Sequence, residues 1–133
     1  MNMKGLKEMK ELVIKKCLKC GAIVKAINDC KCPDCGIRCC DEPMKEMKVN
    51  STDGSHEKHI PTYTIENDKL IVTVNHVMDD DHYIEWICLL TDNIEKYYYF
   101  NPGEEAKIII DNVAHGKIYS YCNKHGLWCK TIE

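Results

Sequence analysis

The chain of 133 residues lacks any run of the roughly 18 apolar residues that a membrane-spanning helix needs. Its first residues, MNMKGLKEMKELVIKK, lack the apolar core of about 7–15 residues found in a secretory signal. No part carries the dense basic stripe of a nucleic-acid binder. There is no internal repeat and no low-complexity tract. These absences argue against a membrane protein, an exported one and a nucleic-acid partner. They leave a globular protein of the cytoplasm.

Cysteine is in excess. Ten are present, and Cys17, Cys20, Cys30, Cys32, Cys35, Cys39 and Cys40 fall within 24 positions. In a reducing compartment such a cluster reads as metal ligands rather than disulfides. Charge is uneven too. Residues 1–48 hold eleven Lys and Arg against seven Asp and Glu, a net of +4, whereas residues 49–133 hold seven against fourteen, a net of −7. The polar stretch VNSTDGS, residues 49–55, reads as a linker with a turn at Asp53-Gly54. Two domains are therefore expected, 1–48 and 49–133. The first has few apolar residues, and a segment under about 50 residues needs a metal or a disulfide staple to fold.

The second part reads as β-structure. Strands are expected at 63–66, 70–74, 83–90, 97–100, 107–111 and 117–121, with a turn at Asn101-Pro102-Gly103. Their spacing suggests an all-β antiparallel sandwich or barrel. Only residues 4–12 look helical, and weakly.

Six histidines are present, at 56, 59, 76, 82, 115 and 125. Taken singly, each is more often a surface or hydrogen-bonded residue than a ligand. His59, His76, His82 and His125, however, all fall at strand edges or in loops, which can cluster at one end of a sandwich. Cys122 and His125 form a C-x-x-H pair in a turn, so both can reach one ion. Four imidazoles and one thiolate are too many for structural zinc, which closes at four ligands. A thiolate narrows the field toward redox metals. Five ligands on iron leave one position for a small molecule, and a thiolate opposite it donates electron density to what binds there.

The segments EKHIP, HVMDDDHYIEW and YCNKHG, in that order, resemble the active-site signature of the superoxide reductase family. The resemblance spans residues 50–133 and implies an immunoglobulin-like β-sandwich. It implies an iron centre held by His59, His76, His82 and His125 in a plane, with Cys122 axial. Glu57 and Lys58 match the family's mobile glutamate–lysine pair, whereas His56 and His115 match no ligand position. The implied activity is one-electron reduction of superoxide to hydrogen peroxide, with the ferric iron re-reduced by an external donor such as rubredoxin. Lys58 would steer the anionic substrate against the negative field of its own domain. Glu57 would occupy the open position in the ferric resting state.

The stretch from Cys17 to Met44 opens with C-x-x-C-G and closes with CCDEPM. It resembles a desulforedoxin-like domain, which joins a superoxide reductase domain in the desulfoferrodoxin family. The resemblance implies a second site, iron or zinc, on Cys17, Cys20, Cys39 and Cys40, and a homodimer. Two departures stand out. The middle is long and carries Cys30, Cys32 and Cys35, and Asp41 stands where glycine is common. Cys32-Pro33-Asp34-Cys35-Gly36 is itself a metal knuckle, so Cys17 and Cys20 could pair instead with Cys32 and Cys35. The adjacent Cys39 and Cys40 must strain a tetrahedron, because neighbouring side chains diverge. Cys88 reads as a small buried hydrophobe, Cys129 has no evident partner, and Trp86 and Trp128 read as bulk in the core or lining the site. Two other readings stay open: a metal-binding or electron-transfer protein of the same fold without turnover, and superoxide dismutation, which would evolve oxygen.

Overall fold

The structure, a computed structural model, describes residues 10–32, 36–51 and 56–133, without the side chain of Glu57. Its elements are strands throughout, apart from one helical turn, α1 (His56–His59). Contacts divide the described residues into two units, Glu11–Lys48 and Val49–Glu133, with Lys10 grouped with the latter rather than within the expected 1–48 domain. The weak helix expected at 4–12 falls mostly outside the described residues, and Lys10, Glu11 and Leu12 have no regular structure.

The first unit is built from short strands, β1 (Ile14–Lys16), β2 (Ile23–Lys25), β3 (Arg38–Cys39), β4 (Glu42–Pro43) and β5 (Lys45–Glu46). Strand β1 lies between β2 and β5, antiparallel to both, and β3 pairs with β4. Its buried apolar side chains are few: Leu12, Ile14, Cys17 and Met44. So small a core leaves the conformational entropy of the chain poorly offset, and cross-links between its loops become important.

The second unit is a sandwich of two antiparallel sheets. Strands β6 (Thr62–Glu66), β7 (Lys69–Thr73) and β10 (Lys107–Asp111) form one sheet in the order β10-β7-β6. Strands β8 (Ile84–Leu90), β9 (Glu95–Tyr99), β11 (Gly116–Cys122) and β12 (Gly126–Ile132) form the other, in the order β12-β11-β8-β9. Alternation along the strands sends Leu70 and Val72, Ile87 and Leu89, Ile108, Ile118 and Ile132 into one shared core. Each such side chain contributes about 1.5–3 kcal/mol when fully buried. Asn67 and Asp68, at φ 52° and 63°, make the two-residue turn between β6 and β7, a backbone that short polar side chains tolerate.

Strand β12 was not foreseen. The sequence reading ends the sheet at residue 121 and takes the C-x-x-H segment as a terminal loop. Instead Cys122 pairs with Gly126 across a three-residue loop, and Gly126 takes φ 84°. A residue in the left-handed region is what such a hairpin requires, and glycine supplies it without steric cost. Cys129, which had no evident partner, is a β12 residue whose N–H donates to Asn50 Oδ1 at 3.0 Å.

Candidate metal centres

Four loops and strand ends of the sandwich deliver the histidines and Cys122. His59 is the last residue of α1, and the buried Ser120 hydroxyl donates to its carbonyl at 2.7 Å. His76 lies three residues past β7, and its Nδ1 donates to the Val77 carbonyl. That bond fixes the tautomer and leaves the Nε2 lone pair free to ligate. His82 is set by a tight turn in which Asp79 and His82 bridge through N–H···O distances of 3.0 and 3.3 Å. Cys122 ends β11 where the register against β8 shifts: Tyr121 faces Trp86 but Cys122 faces Ile84. The irregularity re-aims the end of the strand, a common device beside functional sites.

The four imidazoles close a square. Neighbouring ring centroids are 4.6 Å apart for His59–His76, 4.7 Å for His76–His82, 5.0 Å for His82–His125 and 4.8 Å for His125–His59. Each ring is steeply inclined to the next, by 69° to 89°. Nitrogens of His59 and His125 lie 3.0 Å apart, and those of His82 and His125 3.3 Å. Cys122 Sγ lies 3.4 Å from His76 Nε2 and 3.7 Å from His125 Nδ1. All five donor atoms fall within 4.8 Å of one another. Nitrogens about 2.1 Å from a common ion and at right angles are about 3.0 Å apart. The set therefore fits one cation at its centre, with room in the coordination sphere of a six-coordinate metal for one more ligand.

Packing holds the square in place. Trp128 stacks on His59 with centroids 4.8 Å apart and planes at 23°, and its Nε1 donates to the His125 carbonyl at 3.1 Å. Asn123 joins two of the loops. Its Oδ1 accepts from the Tyr83 N–H at 3.0 Å, and its Nδ2 donates to the Asp81 carbonyl at 3.0 Å. Burial pushes the Cys122 thiol up and outweighs the N–H groups of Lys124 and His125 that favour the thiolate. A bound cation would supply the charge that keeps it ionised. Burial likewise holds His76 below the ordinary imidazole range, with smaller contributions from His59, His82 and His125.

Lys58 is exposed in α1, directly before His59, and Glu57 belongs to the same turn. His115 is exposed just before β11. His56 meets the edge of Trp128 with centroids 5.2 Å apart but is outside the five-donor set. The sequence reading overlooked Ser120 and Asn123. Asn123 sits inside the C-x-x-H pair, where an amide that tolerates turns was the available signal.

In the first unit the sulfurs of Cys17, Cys20, Cys39 and Cys40 also lie within 4.8 Å of one another. Cys20 and Cys39 Sγ are 3.6 Å apart, and Cys39 and Cys40 Sγ 3.9 Å. Thiolates about 2.3 Å from a tetrahedral ion are about 3.8 Å apart, so this set fits a four-sulfur site. The Cys17–Cys20 knuckle closes with Gly21 N–H donating to the Cys17 carbonyl at 2.9 Å, and Gly21 takes φ 82°. The Cys20 N–H, 3.5 Å from Cys17 Sγ, is the main influence lowering the Cys17 thiol to about 7. Crowding by the Cys20, Cys17 and Cys40 thiols pushes Cys39 up to about 12.

The adjacent cysteines converge through a turn. Cys40 and Asp41, at φ 53° and 62°, are the two central residues of the β3–β4 hairpin, and the Arg38 guanidinium donates to the Asp41 carbonyl at 2.7 Å. Positive φ at both residues defines a turn that favours glycine in its second place, where Asp41 stands. Cys32 is disulfide-bonded, contrary to the expectation that the cluster holds ligands rather than disulfides, and Cys35 falls outside the described residues. Cys30 is exposed, and Cys88 is fully buried.

The desulfoferrodoxin family model matches residues 51–131. A desulfoferrodoxin homolog of Archaeoglobus fulgidus is 38% identical, over 85% of this chain and 91% of its own length. A desulfoferrodoxin of Nitratidesulfovibrio vulgaris is also 38% identical, over 86% of this chain and 92% of its own. Among solved structures, the superoxide reductase from Treponema pallidum shares the fold at a TM-score of 0.67 and 24% identity, over 91% of this chain and 99% of that one. With a family match over most of the sandwich and relatives matching along nearly their whole length, the chain belongs to the desulfoferrodoxin family.

Proposed function

We propose that the protein is a superoxide reductase, taking superoxide to hydrogen peroxide at an iron held by His59, His76, His82, His125 and Cys122. The observation that carries this reading is the closed square of four imidazoles with one cysteine sulfur against it, five donors within 4.8 Å. Such a set suits a redox metal with one place left for a small ligand. Bound there, ferrous iron would supply the single electron, and solvent the two protons that hydrogen peroxide needs. The protein residues do the rest. Val77 and Ser120 orient His76 and His59, Trp128 shields the face of His59, and Cys122 gives electron density from its side of the square.

Lys58 is assigned to anion steering. Residues 49–133 carry a net charge of −7, which repels superoxide at a distance, and an exposed cation beside His59 offsets this locally. Glu57 is assigned to the open ligand position in the oxidised resting state. The unit Glu11–Lys48 is read as a desulforedoxin-like module, with iron or zinc on Cys17, Cys20, Cys39 and Cys40. A rubredoxin-like donor, a homodimer and a cytoplasmic setting complete the reading. Among the described residues no helix is long and apolar enough to cross a membrane.

The test of the steering role is Lys58→Glu. The second-order rate constant with pulse-generated superoxide is expected to fall, and the deficit to shrink as salt screens the charges. An unchanged constant removes Lys58 from this role.

A further inference from the structure

The face of the β8–β9–β11–β12 sheet turned away from the core carries a run of oxidisable side chains that neither metal centre uses. Register places Trp86 opposite Tyr121 on one side and Tyr99 on the other. Tyr121 stacks on Trp86 with centroids 5.5 Å apart and planes at 19°. Trp86 meets Tyr97 edge-on at 5.2 Å, and Tyr97 stacks on Tyr99 at 6.3 Å. The run starts at the buried Tyr121, the peptide neighbour of Cys122, passes through the buried Trp86 and the half-buried Tyr97 and ends at Tyr99, which is 74% exposed. The Tyr97 phenol donates to Glu95 Oε2 at 3.0 Å.

Packing alone does not account for this composition. At the buried Tyr121 and the half-buried Tyr97, phenylalanine would fill much the same volume with no hydroxyl to satisfy, yet every ring of the run is an oxidisable Tyr or Trp. We propose that Tyr121, Trp86, Tyr97 and Tyr99 form a ladder that carries oxidising equivalents from the Cys122 centre to the surface. This rests on the superoxide reductase reading, because the oxidant is that reaction's product, hydrogen peroxide. Reducing peroxide to two waters consumes two electrons and two protons. With iron held by His59, His76, His82, His125 and Cys122, the reduced metal would supply one electron; solvent gives the protons, and the ladder gives the second electron. Tyr97 loses that electron inward and its phenolic proton to the Glu95 carboxylate, which leaves a neutral tyrosyl radical. Tyr99 then passes an electron to the Tyr97 radical, which recovers its proton from Glu95, while Tyr99 releases its own proton to solvent; a soluble thiol returns a hydrogen atom to the Tyr99 radical and departs as a thiyl radical. Indole and phenol side chains yield electrons only to strong oxidants and do not accept them from weak reductants. The ladder therefore responds to a strong oxidant at the centre and is no route by which a weak reductant would re-reduce a ferric ion.

Two measurements on the full chain test this. With zinc loaded in place of a redox metal, azide radicals from pulse radiolysis oxidise indole, and the indolyl signal is followed as tyrosyl absorbance grows. The wild type is expected to show a concentration-independent transfer, at least tenfold slower in Tyr97→Phe/Tyr121→Phe and absent in Trp86→Phe. An equal rate in the double variant, or no transfer in the wild type, overturns the ladder. The second uses reduced, iron-loaded protein given one equivalent of peroxide, with oxidation sites mapped by peptide mass spectrometry. Oxidation is expected at Tyr97 and Tyr99 in the wild type and is expected to move to Cys122 and the four histidines in Trp86→Phe and in Tyr97→Phe. The same sites oxidised in all three proteins overturns the protective role. The azide measurement involves no redox metal, so loss of the superoxide reductase reading and loss of the ladder are distinguishable.

Discussion

Asn123→Ala separates the account of how the site is held from a mere list of its ligands. The side chain touches no proposed metal, yet it ties the turn carrying Cys122 and His125 to the loop carrying His82. Removing it strands the Tyr83 N–H, which is partly buried, at a cost of about 1–3 kcal/mol. The Asp81 carbonyl belongs to an exposed residue and can turn to water, so its loss adds little. The larger effect falls on the metal. Partners that orient ligands are worth about 10–100-fold in metal affinity, and here one amide serves two ligand loops. The assay is competition with a chelator of known affinity, alongside urea unfolding of the same zinc-loaded protein. Asn123→Asp keeps the acceptor for Tyr83 and is expected to recover most of the loss. Metal affinity unchanged in Asn123→Ala, with only stability reduced, would refute the positioning role.

Gly116→Ala is expected to lower stability by about 1–3 kcal/mol, because a Cβ there would lie 2.8 Å from the Leu90 carbonyl oxygen; a lower urea midpoint is the readout. Acidification is expected to weaken the metal-free chain as pH falls below about 6.5. Burial depresses the folded His76 pKa from that value, so the unfolded chain takes up its proton first. Urea midpoints at about pH 7.5 and pH 5.5 check this, and an equal or higher midpoint in acid contradicts it. Cys20→Ser is expected to remove one metal equivalent per chain and leave a second bound at the histidine centre, by elemental analysis of anaerobically purified protein. Loss of both metals would contradict two separate ligand sets.

Much of this structure was legible in the sequence. Alternating Leu70 and Val72, the apolar run at 84–90 and the KIIID strand announced themselves through period-two patterning. The five converging donor residues could be picked out because imidazoles and a thiolate recur at loop positions in separated segments, although their convergence depends on the sandwich bringing distant loop ends together. Strand β12 was hidden because Gly126 reads as the end of structure, whereas its φ of 84° turns the chain back into the sheet. The competition for Cys17 and Cys20 could not be settled by spacing. Bringing Cys39 and Cys40 beside them takes a β3–β4 turn with two residues at positive φ, one of them an aspartate where glycine would have signalled the turn. The roles of Ser120 and Asn123 lie in single hydrogen bonds, and these leave no periodic trace in a sequence.

The most direct measurement is the stoichiometry of superoxide consumption. Anaerobically reduced, iron-loaded protein is given sub-equivalent pulse-generated superoxide, and both peroxide and oxygen are counted. Reduction at the His59–His76–His82–His125–Cys122 centre gives one peroxide for each superoxide consumed and no oxygen. One peroxide and one oxygen for every two superoxides would make the centre a dismutase, and consumption no faster than in buffer would make the protein a metal-binding member of the fold without this chemistry.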